Sequence, residues 1–248
     1  MAVEPLKLPS DALATDKFPK KYISPTRLVR ISAYHTGEPY FGKSGNNRFD
    51  APGAVTGTPE FGVCYFGTSL DLAMAESILH DEIPVNGAFT ITRAQIDGRF
   101  ALYFGGKPLH LLDLTGPLLK RLGGNADLAG TTDYGFTQQR ARAVHDNPAG
   151  YDGFLYMSRH LNTKRAVALF DRTPSAHFRA RKWRPLMLKS TEKRGIMTHA
   201  ERRKENNESA RQQFLLLPAL QEWLPEGHLA YFINDTVDLR NDKRNPQY

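Results

Sequence analysis

The sequence predicts an α+β fold. Short β-prone runs recur between residues 28 and 170, and amphipathic helical stretches lie between them. Their spacing is too irregular for repeated βαβ units. No internal repeat is visible.

The elements follow in order. Residues 1–24 are rich in Pro and Lys and read as a surface arm. Leu28–Ala33 is the first strand by its β-branched content. A Gly/Asn/Pro stretch from Thr36 to Glu60 follows, and structureless loops beyond ~12–15 residues are uncommon unless they carry function. Gly62–Gly67 is a second strand. Thr68 or Ser69 caps a helix over Asp71–Leu79, with Leu72, Ala75, Ile78 and Leu79 on one face. Strands are expected at Ala88–Thr92, Arg99–Phe104 and Leu109–Asp113, and helices at Pro117–Leu122 and Phe136–Asp146. Gly153–Ser158 and Arg165–Phe170 complete the strands, and the globular part should end near Trp183.

Composition removes several function classes. The 248 residues suit one domain plus an appendage. A single cysteine, Cys64, excludes a disulfide framework and any cysteine-based zinc cluster, and its apolar neighbours mark it as buried and inert. The longest apolar run, Phe214–Leu220, is far shorter than the ~20 residues that span a bilayer. Met1–Lys21 is charged, contains Pro and lacks the apolar stretch of a signal peptide, so a cytoplasmic protein is expected.

The formal net charge is +7, and most of it is local. Phe178–Lys204 carries ten basic residues against Glu192 and Glu201, a net of +8, which leaves −1 for the rest of the chain. Such a run reads first as a solvated connector and second as a phosphate-binding stripe. Beyond it, Glu201–Gln213 and Gly227–Leu239 have helical character.

Candidate sites are weak when taken singly. Gly37–Ser44 fits the letters of a phosphate-binding loop, G-x-x-x-x-G-K-[ST]. The residues after Ser44 are Gly, Asn and Pro-rich and cannot start the helix such a loop needs, so the match is a coincidence. The eight His show no H-x-x-x-H spacing and no nearby carboxylate cluster, so no metal is expected. Glu76 sits in an otherwise apolar helix face, where a carboxylate is costly unless paired or used. Arg48 is a cation in a Gly/Asn loop, Tyr65 alternates with Val63 in a strand, and Ser158 ends a strand where a hydroxyl commonly caps a turn.

Read together, these residues carry a pattern. Asn47-Arg48-Phe49-Asp50-Ala51-Pro52, Phe61–Ser69 with Tyr65, and Ala73-Met74-Ala75-Glu76-Ser77 resemble the signature blocks of the RES domain family. Tyr151–His160, including Ser158, resembles its second block, and the resemblance spans Leu28 to Arg172. Phe49 stands where the family often has Trp, and the Ala54–Phe61 segment lengthens the gap between Arg48 and Tyr65.

The resemblance implies an ADP-ribosyltransferase-like β core over residues 25–183, flanked by helices. It implies a toxin that depletes NAD⁺ by hydrolysis or phosphorolysis, usually opposed by an Xre-type helix-turn-helix antitoxin. NAD⁺ is then the substrate, and no cofactor is implied. Arg48, Tyr65, Glu76 and Ser158 match the family's active-site residues, and Arg30 matches a further recurrent Arg that binds substrate or supports the fold. A carboxylate can stabilise the oxocarbenium ion that forms as the nicotinamide–ribose bond breaks, as in other glycosidic cleavages. An aromatic face can hold nicotinamide, and a guanidinium can fork onto a diphosphate. Protein ADP-ribosylation is the alternative use of the same residues.

Residues 184–248 form the expected connector and tail, helical or poorly ordered. Gln212–Asp238 resembles the N-terminal segment of certain insertion-sequence transposases, which implies a fused segment too short for a recombinase core. Nucleic-acid binding through this basic tail is the third reading.

Overall fold

The computed structural model describes residues 6–85, 89–172 and 177–188, with short strand segments at Gln212–Gln213 and Val237–Asp238. The chain enters through helix α1 (Asp11–Thr15) and strand β1 (Lys20–Ile23). Strands β2 (Val29–Ser32) and β3 (Val63–Gly67) flank the long loop, and α2 (Leu70–Ala75) follows directly. Next come β4 (Thr90–Ile91), α3 (Arg93–Ile96), β5 (Phe100–Gly106) and β6 (Leu109–Asp113). Helices α4 (Gly116–Arg121), α5 (Asp127–Gly130) and α6 (Gly135–Asp146) lead to β7 (Gly153–Met157), β8 (Arg165–Phe170) and β9 (Phe178–Pro185). The short strands β10 (Met187–Leu188), β11 (Gln212–Gln213) and β12 (Val237–Asp238) make two small pairings, β10 with β12 and β11 with β4.

The main sheet has eight strands in the order β1-β6-β7-β8-β3-β2-β5-β9. Every neighbouring pair is antiparallel except β6 and β7, which are joined through α4, α5 and α6. This is the mixed α+β architecture expected from the sequence. The sheet curls, because Ile23 of β1 and Phe178 of β9, at opposite ends of the strand order, share one buried cluster with Phe66, Leu111 and Val167. The other face of β3, β7 and β8 packs Val63, Phe154 and Ala168 against Leu13 of α1 and Ala141 and Val144 of α6. A third cluster seats α2 and α3 on Val29 and Ile31 of β2 and Ala101 of β5.

The sheet has one weak seam. Strands β2 and β3 register through a single pair, Val29 opposite Gly67, whereas β3 and β8 register through five. The sheet therefore splays between β2 and β3. Gly67 also lets α2 close onto the end of β3, since a Cβ there would lie 2.6 Å from the Ala73 nitrogen.

The structure differs from the sequence reading in four places. The N-terminal arm is built into the fold: Leu6, Leu13 and Phe18 are buried, and β1 pairs with β6. The basic run begins inside the domain: Phe178–Pro185 is edge strand β9, paired with β5, and it passes the expected boundary at Trp183 by two residues. Charged side chains on an edge strand discourage pairing with other chains, which gives Arg179, Arg181 and Lys182 a structural use. The helix expected over Asp71–Leu79 stops at Ala75. There the Ser77 hydroxyl donates to the Ala73 carbonyl at 2.6 Å, and the Ser77 N–H turns to Met74 instead. In the tail, Gln212–Gln213 and Val237–Asp238 are strand where the sequence reads helix; the remainder of 189–248, with most of the transposase-like segment, lies outside the described residues. No helix among the described residues is long and apolar enough to cross a membrane.

The letters of the phosphate loop are spent on other contacts. Lys43 pairs with Asp171 at 2.9 Å, the Ser44 hydroxyl donates to Asp50, and no helix follows Ser44.

Candidate functional site

A cleft of about 250 Å³ opens at the β2–β3 seam. Arg30, Arg48, Tyr65 and Glu76 all line it. Asn46, Asn47, Tyr134, Tyr156, His80 and Arg159 complete most of its wall. Three of these residues are arginines and one, Glu76, is a carboxylate, so the cleft is locally cationic within a nearly neutral domain. A smaller recess of about 60 Å³ runs from Glu76 and Tyr65 between the seam strands and Ala73 of α2.

The Arg48 wall is tied down at every joint. Arg48 donates from Nη1 to the Thr131 carbonyl at 2.6 Å, and its guanidinium lies 4.9 Å over the Tyr134 ring. The start of α6 grips the loop backbone: Thr137 Oγ1 donates to the Arg48 carbonyl, and Gln138 Nε2 donates to the Gly45 and Asn47 carbonyls. Asp50 is fully buried and accepts from Ser44 Oγ, Asn47 N and Asn47 Nδ2 at 3.0–3.2 Å. The Tyr65 hydroxyl joins this network, accepting from the Phe49 N–H at 3.0 Å and donating to Asp50 at 3.4 Å. Burial, and then the Asp50 charge, push the Tyr65 phenol well above its ordinary pKa, so it stays a neutral strut. Burial also lowers the Arg48 pKa.

Arg30 braces the same region from β2. Its Nε donates to Glu38 at 3.1 Å and its Nη1 donates to the Tyr65 carbonyl at 3.2 Å, across the seam. The Glu38 side chain is almost wholly buried and also accepts from Ser32 Oγ and the Tyr40 N–H. Arg30 thus supports the loop and presents a face to the cleft.

The Glu76 wall is built differently. Glu76 stands at the first residue after α2, and its buried Oε1 has no hydrogen-bond partner among the described residues. Burial, followed by the Glu76 charge, raises the Tyr156 phenol well above its ordinary pKa, which places these two groups in one field. The turn after α2 also carries His80, and the turn after β7 carries Arg159 and His160. Arg159 donates to both imidazoles, Nη2 to His80 Nε2 at 2.9 Å and Nε to His160 Nε2 at 3.1 Å. Burial, then the neighbouring His80 and Arg159, lowers the His160 pKa to about 4.

Ser158 sits apart from the other expected residues. It is 1 % exposed, and its Oγ accepts from the N–H groups of His160 and Leu161 at 3.1 and 3.0 Å. It shapes the turn that presents Arg159 and His160, and it is not among the residues lining the cleft. Cys64 is buried on the opposite face of β3, and burial pushes its thiol up to about 12.

Sequence reasoning did not single out Asp50, Tyr134, Tyr156, His80 or Arg159. Tyr156 was open to detection, since it shares a strand face with Phe154 and lies two residues before Ser158. Asp50 stands in the Arg48 block itself, and only its burial reveals its role. Tyr134 and His80 reach the cleft from separate elements, and nothing in their local sequence marks them.

Chemically, the arrangement offers fixed cations for an anionic ligand, aromatic walls, and one carboxylate with an unpartnered oxygen among the described residues. That combination suits stabilisation of positive charge developing beside a phosphate-bearing group.

The RES domain family model matches residues 26–188. Among solved structures, the chain is similar to one described as the crystal structure of the M. tuberculosis MbcT–MbcA toxin–antitoxin complex, at 15% sequence identity and a TM-score of 0.46. That likeness covers 66% of this chain and 84% of the other. No curated protein sequence matches.

Proposed function

The chain belongs to the RES domain family, and from that membership and the cleft geometry we propose that it cleaves the nicotinamide–ribose bond of NAD⁺. The observation that carries the proposal is the buried, unpartnered Glu76 oxygen in a cleft otherwise lined by arginine, amide and aromatic groups.

In this reading Arg48 and Arg30 hold the diphosphate. Arg48 needs no reorganisation to do so, because the Thr131 carbonyl and Tyr134 already fix its fork. Tyr65 and Tyr156 flank the nicotinamide riboside end. The Glu76 carboxylate faces the ribose, accepts a hydrogen bond from a ribose hydroxyl, and stabilises the oxocarbenium ion as nicotinamide departs with the bond's electron pair. Water or phosphate then adds to the anomeric carbon. Ser158 acts through the 158–161 turn, holding Arg159 at the rim.

The family resemblance extends the proposal to cellular role. A chain that depletes NAD⁺ is a toxin to its own host and needs an antidote, for which an Xre-type antitoxin is the proposed partner.

The test is direct. Purified protein is mixed with NAD⁺, with and without phosphate, and nicotinamide release and the ADP-ribose product are followed. Release that Glu76→Ala abolishes is the expected result. No release from the wild type, or equal release from the variant, overturns the proposal. Radiolabelled NAD⁺ appearing on a protein band instead of in free product would shift the reading to protein ADP-ribosylation.

A further inference from the structure

Beside Glu76 stand two histidines that the NAD⁺ reading does not use. A carboxylate oxygen of Glu76 and ring nitrogens of His80 and His160 all lie within 4.8 Å of one another. We propose that these three residues form a binding site for a borderline-soft divalent cation, with Zn²⁺ the best match to the donors.

Two imidazoles and one carboxylate are a recurrent zinc ligand set, and imidazole donors disfavour Mg²⁺ and Ca²⁺. The ring nitrogens are already gathered. His80 Nε2 and His160 Nε2 lie 2.9 and 3.1 Å from the single guanidinium of Arg159, so both ring nitrogens converge on one positive charge. The third donor residue, Glu76, carries a carboxylate whose Oε1 has no hydrogen-bond partner among the described residues. A cation held by this carboxylate would balance its charge and replace one positive charge, that of Arg159, with another. Arg159 is exposed, so its side chain can swing into solvent.

The ligands stand on braced backbone. Glu76 and His80 lie four residues apart in the turns after α2, anchored between them by buried Ile78 and Leu79. His160 is fixed by its own N–H, which donates to Ser158 Oγ. Zinc bonds of ~2.0–2.2 Å place neighbouring tetrahedral donors roughly 3.4 Å apart, so a small rotamer adjustment closes the site and leaves a fourth position to water.

Occupancy would engage the carboxylate that NAD⁺ cleavage requires, so the metal would inhibit. That consequence rests on the proposed NAD⁺ cleavage; the binding itself does not.

The test uses full-length protein stripped with a chelator. ZnCl₂ is titrated by calorimetry, and CoCl₂ by the visible absorption of tetrahedral Co²⁺. Saturable binding near one equivalent is expected, weakened at least ~10-fold by His80→Ala, by His160→Ala and by Glu76→Gln. Arg159→Ala removes the competing charge and should tighten binding, an effect that loss of folding would not produce. His110→Ala, distant on β6, should change nothing. Absence of saturable binding, or binding that survives both His substitutions, overturns the site. Zinc binding by a protein that releases no nicotinamide would leave the site standing and remove the NAD⁺ reading alone.

Discussion

The two walls of the cleft obey opposite rules. On the Arg48 side the key polar groups have found partners: Asp50 accepts three hydrogen bonds at 3.2 Å or less, the Tyr65 hydroxyl bridges Phe49 and Asp50, and α6 holds three loop carbonyls. On the Glu76 side a buried carboxylate oxygen has none. A satisfied network fixes geometry, whereas an unsatisfied buried acceptor stores free energy that a ligand can release. In the proposed reaction, that difference separates a wall that positions from a wall that reacts.

Four substitutions put that division of labour at risk. The largest effect is expected from Glu76→Gln, which keeps the shape and removes the charge. Nicotinamide release should fall by about 10²–10³-fold with the melting temperature unchanged or raised. A variant with near wild-type turnover would show that the unpaired oxygen is not where the reaction is assisted. Arg48→Lys should follow, with KM for NAD⁺ raised roughly 10-fold, because an ammonium cannot reproduce a fork held between a carbonyl and a ring. An unchanged KM would remove Arg48 from the diphosphate.

Tyr65→Phe deletes the strut's hydroxyl and leaves the Phe49 N–H without its acceptor. We expect a loss of about 1–3 kcal/mol in urea unfolding, with a smaller drop in activity. Activity lost without any loss of stability would move Tyr65 from the positioning wall to the reacting one. The smallest effect is expected from Ser158→Ala, which takes one acceptor from two turn N–H groups. A cost of about 1 kcal/mol and a KM shift of a few-fold should result. A collapse of kcat comparable to Glu76→Gln would give the serine a direct part in the reaction.

The same contrast explains what the sequence could disclose. Glu76 was legible because a carboxylate in an apolar helical stretch is locally anomalous. Arg48 and Tyr65 became legible only as members of ordered blocks, since an arginine in a loop and a tyrosine in a strand are ordinary. The network behind them was hidden, because it joins residues such as Asn47, Tyr65, Thr137 and Gln138 that the chain brings together from three elements. The grouping proposed as a cation site has no local sequence signature for a similar reason: His160 arrives from another strand end, 80 positions after His80.

Strand content was readable where a short apolar run is bounded by polar residues, as in Leu109–Asp113 and Arg165–Phe170, both reproduced in the structure. It failed in β9. There a bulge opposite Tyr103 and Phe104 inserts Arg181 between the paired Ala180 and Lys182, which breaks the two-residue period. It failed in β1 because Lys20–Tyr22 point largely outward and Ile23 alone is buried. An edge strand buries too little to sign its own sequence.

The single registered pair between β2 and β3 has a dynamic consequence. A sheet opens where its ladder is shortest, so this seam is the natural place for the two halves to breathe. Because Arg30 bridges it from one side to the Tyr65 carbonyl on the other, substrate that engages Arg30 pulls on the hinge itself. Backbone amides flanking the seam should exchange with solvent deuterium sooner than those between β7 and β8, and a bound dinucleotide should slow them first.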